Sequence, residues 1–149
     1  HSLWDKIRTM GGAYGGGAFN NSIEEVVSFY SYRDPTPNKS LDVYLEVLKE
    51  VSEKGISKED LERTIISIYG MITTPKDATG KASSSISNFM YAVPDNQSQR
   101  KIQLLVKITN DDVKAAAQRL YKKMNEERHE VLICDKSINS SGKKLDIVL

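Results

Sequence analysis

The sequence predicts an α/β fold of the two-layer α+β kind, a mostly antiparallel sheet with helices on one face. Three observations carry this prediction. A glycine-rich tract precedes "VVSFYSY", a β-branched and aromatic run in near alternation. Behind it, several stretches repeat apolar residues at helical spacing, two of them after Ser-x-x-Asp or Thr-x-x-Asp starts. Near the end, "HEVLICD" alternates again and reads as a strand returning to the sheet.

The elements follow in order. "LWDKIRTM" has the pattern of the last turns of a helix, with Leu3, Trp4 and Ile7 on one face and Gly11 as its stop. Trp4 is expected to pack against the sheet. "AYGGGAF" and "VVSFYSY" make an antiparallel hairpin with its turn around residues 20–24. Tyr30 and Tyr32 then share one face and Phe29 takes the other. "RDPTPN" breaks the strand, because proline cannot donate to a ladder. Arg33 and Asp34 are expected to pair and shape that turn.

From Ser40 the pattern turns helical. Leu41, Tyr44, Leu45, Leu48 and Val51 share a face, and Gly55 ends the run. "SKED" from Ser57 opens a second helix with Leu61, Ile65, Ile68 and Ile72 behind it, and Pro75 closes it. "KDATGKASSS" reads as loop, with a shorter helix over residues 84–91. Another short helix turns Ile102 and Leu105 inward. "TNDD" from Thr109 caps the last helix, which carries Val113, Ala116, Ala117, Leu120, Tyr121 and Met124. No repeat and no internal boundary is visible. Residues 1–149 read as a single partial domain, with about 138–149 as loop or tail.

Composition narrows the function classes. The 149 residues are 39% hydrophobic and 28% charged, as in ordinary globular domains. Twenty-one basic residues face twenty acidic ones, so the basic footprint of a nucleic-acid binder is missing. No apolar run nears the roughly 18 residues of a membrane span. One cysteine, Cys134, leaves no internal disulfide, and its apolar surroundings suggest a buried, inert thiol. The two histidines, His1 and His129, are too few and too scattered for a zinc cluster. His129 reads as a surface residue.

Residues 7–19, "IRTMGGAYGGGAF", hold five of the nine glycines. A phosphate loop requires a Lys-Ser or Lys-Thr after its glycines, and none follows. The dinucleotide fingerprint fails as well: from Gly15 and Gly17 the third glycine falls on Asn20. Two readings remain. Gly11 and Gly12 cap a helix while Gly15 to Gly17 form a bulge. Alternatively, a glycine-lined strand bares its backbone to an extended peptide, flanked by Arg8 and Tyr14. A tyrosine hydroxyl can donate to a developing oxyanion, and an arginine fork suits carbonyl or carboxylate oxygens.

"LWDKIRTMGGAYGGGAF", followed by "FYSYRDP" and the "TNDDV" helix start, resembles the C-terminal part of the presequence-protease and falcilysin subfamily of the pitrilysin (insulinase) zinc metallopeptidases. The similarity extends to about Ser137. The resemblance implies four similar α/β domains in two bowl-shaped halves that close on an unstructured peptide. Zinc would be the cofactor of the full-length enzyme, held in the first domain by an inverted H-x-x-E-H motif and a distal glutamate. The fourth domain supplies a tyrosine and an arginine across the chamber, which match Tyr14 and Arg8 here. Tyr14 would then be catalytic, holding the scissile carbonyl. Arg8 would bind substrate, with Gly11, Gly12, Ala13 and Gly15 of the same motif.

The H-x-x-E-H motif is missing from these 149 residues. The resemblance therefore implies a piece of the fourth domain, with no metal site, that is inactive alone. Its expected partners are a peptide substrate and the N-terminal zinc-bearing half, with no nucleic acid and no membrane. An exposed sheet edge is expected to pair with another copy. Relatives lie in the cytoplasm of bacteria or in mitochondria and plastids, and the sequence does not decide between them. Two alternatives stand beside this reading: a non-catalytic subunit of the same fold, and a stand-alone peptide-binding module. Retention of both Arg8 and Tyr14 argues against the first.

Overall fold

The computed structural model describes residues 2–133. They fall into two compact units, residues 2–53 with 116–133 and residues 54–115.

The first unit opens with a short α-turn, α1 (Ser2–Trp4), that runs on as a π-helical segment, Asp5–Met10. Gly11 keeps an ordinary φ of −83°, and the left-handed reversal falls on Gly12 at φ 78°. The Gly12 N–H donates to the Arg8 carbonyl at 3.1 Å, and the Ala13 N–H to the Ile7 carbonyl at 3.2 Å. Both glycines are required locally. A Cβ on Gly11 would sit 2.5 Å from the Ile7 carbonyl oxygen, and a side chain on Gly12 would be strained. Trp4 does not bury itself against the sheet. It stays about half exposed, with the Arg8 guanidinium 4.8 Å from its ring centre.

The hairpin pairs β1 (Gly15–Asn21) with β2 (Val26–Tyr32), antiparallel, in continuous register from Gly15 opposite Tyr32 to Asn21 opposite Val26. No bulge interrupts the glycine tract, so the bulge reading is corrected. At the turn, the Asn21 side-chain oxygen accepts the N–H groups of Ile23 (3.0 Å) and Glu24 (3.3 Å).

After β2 the chain turns around Asp34. Its carboxylate accepts the Ser31 hydroxyl (2.7 Å), the Ser40 hydroxyl (2.5 Å) and the Thr36 N–H (2.8 Å). These bonds replace the expected Arg33–Asp34 pair, and the Arg33 guanidinium lies over the Tyr14 ring. Helix α2 (Pro37–Lys54) follows, with proline at its first position, where a missing N–H is harmless. Its inner face buries Tyr44, Val47 and Leu48. Ile7 (1% exposed), Ala13 and Tyr44 form the core, with Leu3, Phe29, Leu41 and Val43 against it. Phe29 stacks on Tyr44 at 5.3 Å. Burial pushes the Tyr44 phenol up, with the Asp34 charge adding to this and a hydrogen bond with Ser31 opposing it. Lys6 reaches Glu46 (2.8 Å) and Glu50 (3.5 Å), and the Glu46 hydrogen bond holds its ammonium above the usual lysine value.

The later turns of the last helix, α6 (Asn110–Glu126), bury Ala117, and the Gln118 amide donates to the Ser52 carbonyl at 3.2 Å. The predicted third strand does not form over residues 129–133, where no regular structure is present and Val131 and Ile133 are exposed. An alternating pattern becomes a strand only with a ladder partner for its N–H and C=O groups. Among the described residues the sheet has two strands. Cys134, Asp135 and the expected tail lie outside the described residues.

The second unit holds α3 (Lys58–Thr73), α4 (Ala78–Met90), α5 (Gln97–Leu105) and the start of α6. Ser57 caps α3 as expected, accepting the Asp60 N–H at 3.0 Å. Thr109 and Asp112 form the reciprocal box at α6: the Asp112 carboxylate accepts the Thr109 N–H (2.9 Å), and the Thr109 hydroxyl accepts the Asp112 N–H (3.3 Å). Helix α4 begins well before residue 84, because Asp77 caps it by accepting the Gly80 N–H at 2.7 Å. The "KDATGKASSS" loop reading is corrected accordingly. Leu105 is buried, and Leu61, Ile65, Ile72 and Ile102 are half-buried. Ile68, expected on that inner face, is exposed, as are Ile66, Met71, Phe89 and Leu104.

Candidate functional site

The candidate residues stand in the first unit, where the π-helical segment feeds the hairpin. Tyr14 lies between Gly12, the reversal, and Gly15, the start of β1. Its N–H donates to the Arg33 carbonyl at 3.3 Å, which ties the head of β1 to the end of β2. Tyr14 is 57% exposed. Tyr32 meets the Tyr14 ring edge-on at 5.5 Å, and the Arg33 guanidinium carbon sits 5.3 Å from that ring's centre. Tyr32, the last residue of β2, and Arg33, just beyond it, therefore frame the phenol while one side faces solvent.

Register explains the frame. Gly15 stands opposite Tyr32, and Gly17 opposite Tyr30. A Cβ on Gly15 would come within 2.9 Å of the Tyr32 ring carbon Cζ, and one on Gly17 within 3.2 Å of the Tyr30 hydroxyl oxygen. These glycines seat tyrosine rings on the outer face of β1. Gly16 faces the other way, where a Cβ would stand 2.9 Å from Ile7 Cγ2. The bare backbone expected at this tract is thus covered by aromatic rings on one side and by the core on the other. Phe19, 6.2 Å from Tyr30, extends the aromatic row.

The other predicted residues are placed as follows. Arg8 is exposed and stacks on Trp4, one turn back, so it and Tyr14 have different ring partners. Gly11 and Gly12 shape the reversal, and Ala13 is buried in the core. Tyr32 and Arg33 escaped the sequence reading as neighbours of Tyr14. The "SYRDP" motif signalled them, but only a fixed register brings them there.

Among the described residues no group of three or more His, Cys, Asp or Glu side chains could hold a metal ion. The residues described here therefore do not fit a zinc centre. Nor is any helix among them long and apolar enough to cross a membrane.

A protein-family model described as the PreP C-terminal domain matches residues 1–136. The chain belongs to the PreP C-terminal domain family. Among curated relatives, a mitochondrial presequence protease of Gibberella zeae is 33% identical over 117 residues. The mitochondrial presequence protease of Eremothecium gossypii is 35% identical over 116 residues. Presequence protease 1, chloroplastic/mitochondrial, of Arabidopsis thaliana is 34% identical over 116 residues. These matches cover 77% to 78% of the chain but 11% of each relative.

Proposed function

We propose that this chain is the substrate-contacting C-terminal part of a zinc-dependent oligopeptidase that cleaves unstructured peptides. The observation that carries the reading is the solvent-facing Tyr14 phenol, fixed at the head of a hairpin, in a chain whose relatives are named presequence proteases. In this reading the Tyr14 hydroxyl donates to the scissile carbonyl oxygen as negative charge develops there. Arg8 contacts the substrate backbone. A guanidinium stacked on a ring face keeps its in-plane N–H donors for other acceptors. Gly11, Gly12, Ala13 and Gly15 form the backbone on which the two side chains stand.

The zinc and its ligands belong to another part of the polypeptide, the partner half that closes over the peptide. The 149-residue chain alone is then inactive. The names of the relatives favour a mitochondrial or plastid location.

Replacing Tyr14 by Phe in the full-length enzyme tests the reading. Loss of one oxyanion donor should lower kcat by about 10²–10³-fold. Thermal stability should hold, because the side chain is more than half exposed. Unchanged turnover would remove Tyr14 from the chemistry. Full activity after exhaustive chelation would remove the zinc.

A further inference from the structure

We infer that Arg33 and Tyr32 are positioning residues that fix the orientation of the Tyr14 phenol toward a bound peptide. The inference rests on the proposed role of Tyr14. Three contacts converge on that residue from the end of β2. The Arg33 carbonyl accepts the Tyr14 N–H at 3.3 Å, the Arg33 guanidinium lies 5.3 Å from the ring centre, and Tyr32 meets the ring edge-on at 5.5 Å with an interplanar angle of 61°. Arg33 sits at φ 48°, a left-handed conformation rare for a residue with a side chain. That backbone places the carbonyl and the guanidinium of one residue on the same tyrosine.

An exposed tyrosine otherwise samples several rotamers. Here a cation on the ring and an aromatic edge beside it favour one of them. Gly15 completes the device, since any larger residue would displace the Tyr32 ring. Asp34, the neighbouring anion, is bonded to Ser31, Thr36 and Ser40, while the guanidinium lies over the ring.

The test measures kcat and KM of the full-length enzyme on an unstructured peptide for Tyr14→Phe, Arg33→Gln, Arg33→Lys and the double variant Tyr14→Phe/Arg33→Gln. An exposed cation–π contact corresponds to about two- to fivefold in rate. Arg33→Gln should therefore lower kcat about two- to fivefold with KM little changed. Arg33→Lys should restore most of that loss. In the Tyr14→Phe background Arg33→Gln should cost nothing further, because the hydroxyl it orients is gone. Tyr32→Phe, which keeps the ring edge, should retain the rate that Tyr32→Leu loses. If Tyr14→Phe is impaired but Arg33→Gln is not, or if Arg33→Gln lowers kcat equally in both backgrounds, the positioning role is overturned while the Tyr14 reading stands. If Tyr14→Phe turns over normally, the Tyr14 reading itself fails and takes this inference with it.

Discussion

Gly16→Ala separates the packing explanation of the glycine tract from any other. The added Cβ would stand 2.9 Å from Ile7 Cγ2 and 3.0 Å from the Tyr30 carbonyl oxygen. Favourable carbon contacts begin near ~3.5 Å, so something must move by about half an ångström. Neither neighbour yields easily. Ile7 is the most buried large side chain, and its Cγ2 moves only if the stiff χ1 rotates. The Tyr30 carbonyl belongs to the backbone of the paired strand opposite Gly17. Overpacking of this kind costs about 1–3 kcal/mol. Alanine recovers roughly 0.5–1 kcal/mol through the lower entropy of the unfolded chain. The net loss should be about 1–2 kcal/mol.

Urea unfolding followed by the fluorescence of Trp4, the only tryptophan, reads this in the unit that contains the change. Gly70→Ala is the control. It lies in α3 with nothing within 4 Å of the added carbon, so it should stabilise that helix by about 0.8–1 kcal/mol, read by circular dichroism. A Gly16→Ala protein as stable as its parent would refute the packing account.

Three further outcomes are expected. Gly55 sits at φ 74°, where a Cβ would press within 2.7 Å of the Asn110 side-chain nitrogen, so Gly55→Ala should lose about 1–2 kcal/mol in a thermal melt, and no loss would contradict the cap. Hydrogen bonds from the Thr109 hydroxyl and then its backbone N–H hold the Asp112 carboxyl below its usual range. A lowered folded value means stability that is present above the unfolded value, about pH 4, and lost as pH falls through the folded value. Protection of the Thr109 amide, its exchange measured against the intrinsic rate at each pH, should therefore fall in acid, and Asp112→Asn should remove that fall. Finally, among the described residues the two-stranded sheet leaves an outer edge on each strand, and the isolated 149-residue chain should self-associate in sedimentation experiments. A monomer over the whole accessible concentration range would count against this.

What the sequence disclosed depended on how local the cause was. The caps at Ser57 and Thr109 were legible because each closes over three residues. The hairpin was legible from the alternation of "VVSFYSY". The start of helix α4 is not legible, since its glycine and serines are weak helix formers and the Asp77 cap outweighs them. At residues 129–133 a strand pattern met no ladder partner, and periodicity alone cannot supply one. Tyr14 and Arg8 were singled out by motif, but the ring of Tyr32 and the guanidinium of Arg33 reach Tyr14 only through register. The same holds for Trp4, which stays about half exposed with the Arg8 guanidinium over its ring.

The tyrosines seated on Gly15 and Gly17 carry an entropic consequence. Each ring lies against the bare backbone of the facing glycine, which narrows the space open to it. Freezing a side chain at an interface ordinarily costs about 0.5–1.5 kcal/mol. On this hairpin part of that loss falls on folding, so an extended ligand laid along Tyr30 and Tyr32 would find less disorder to remove.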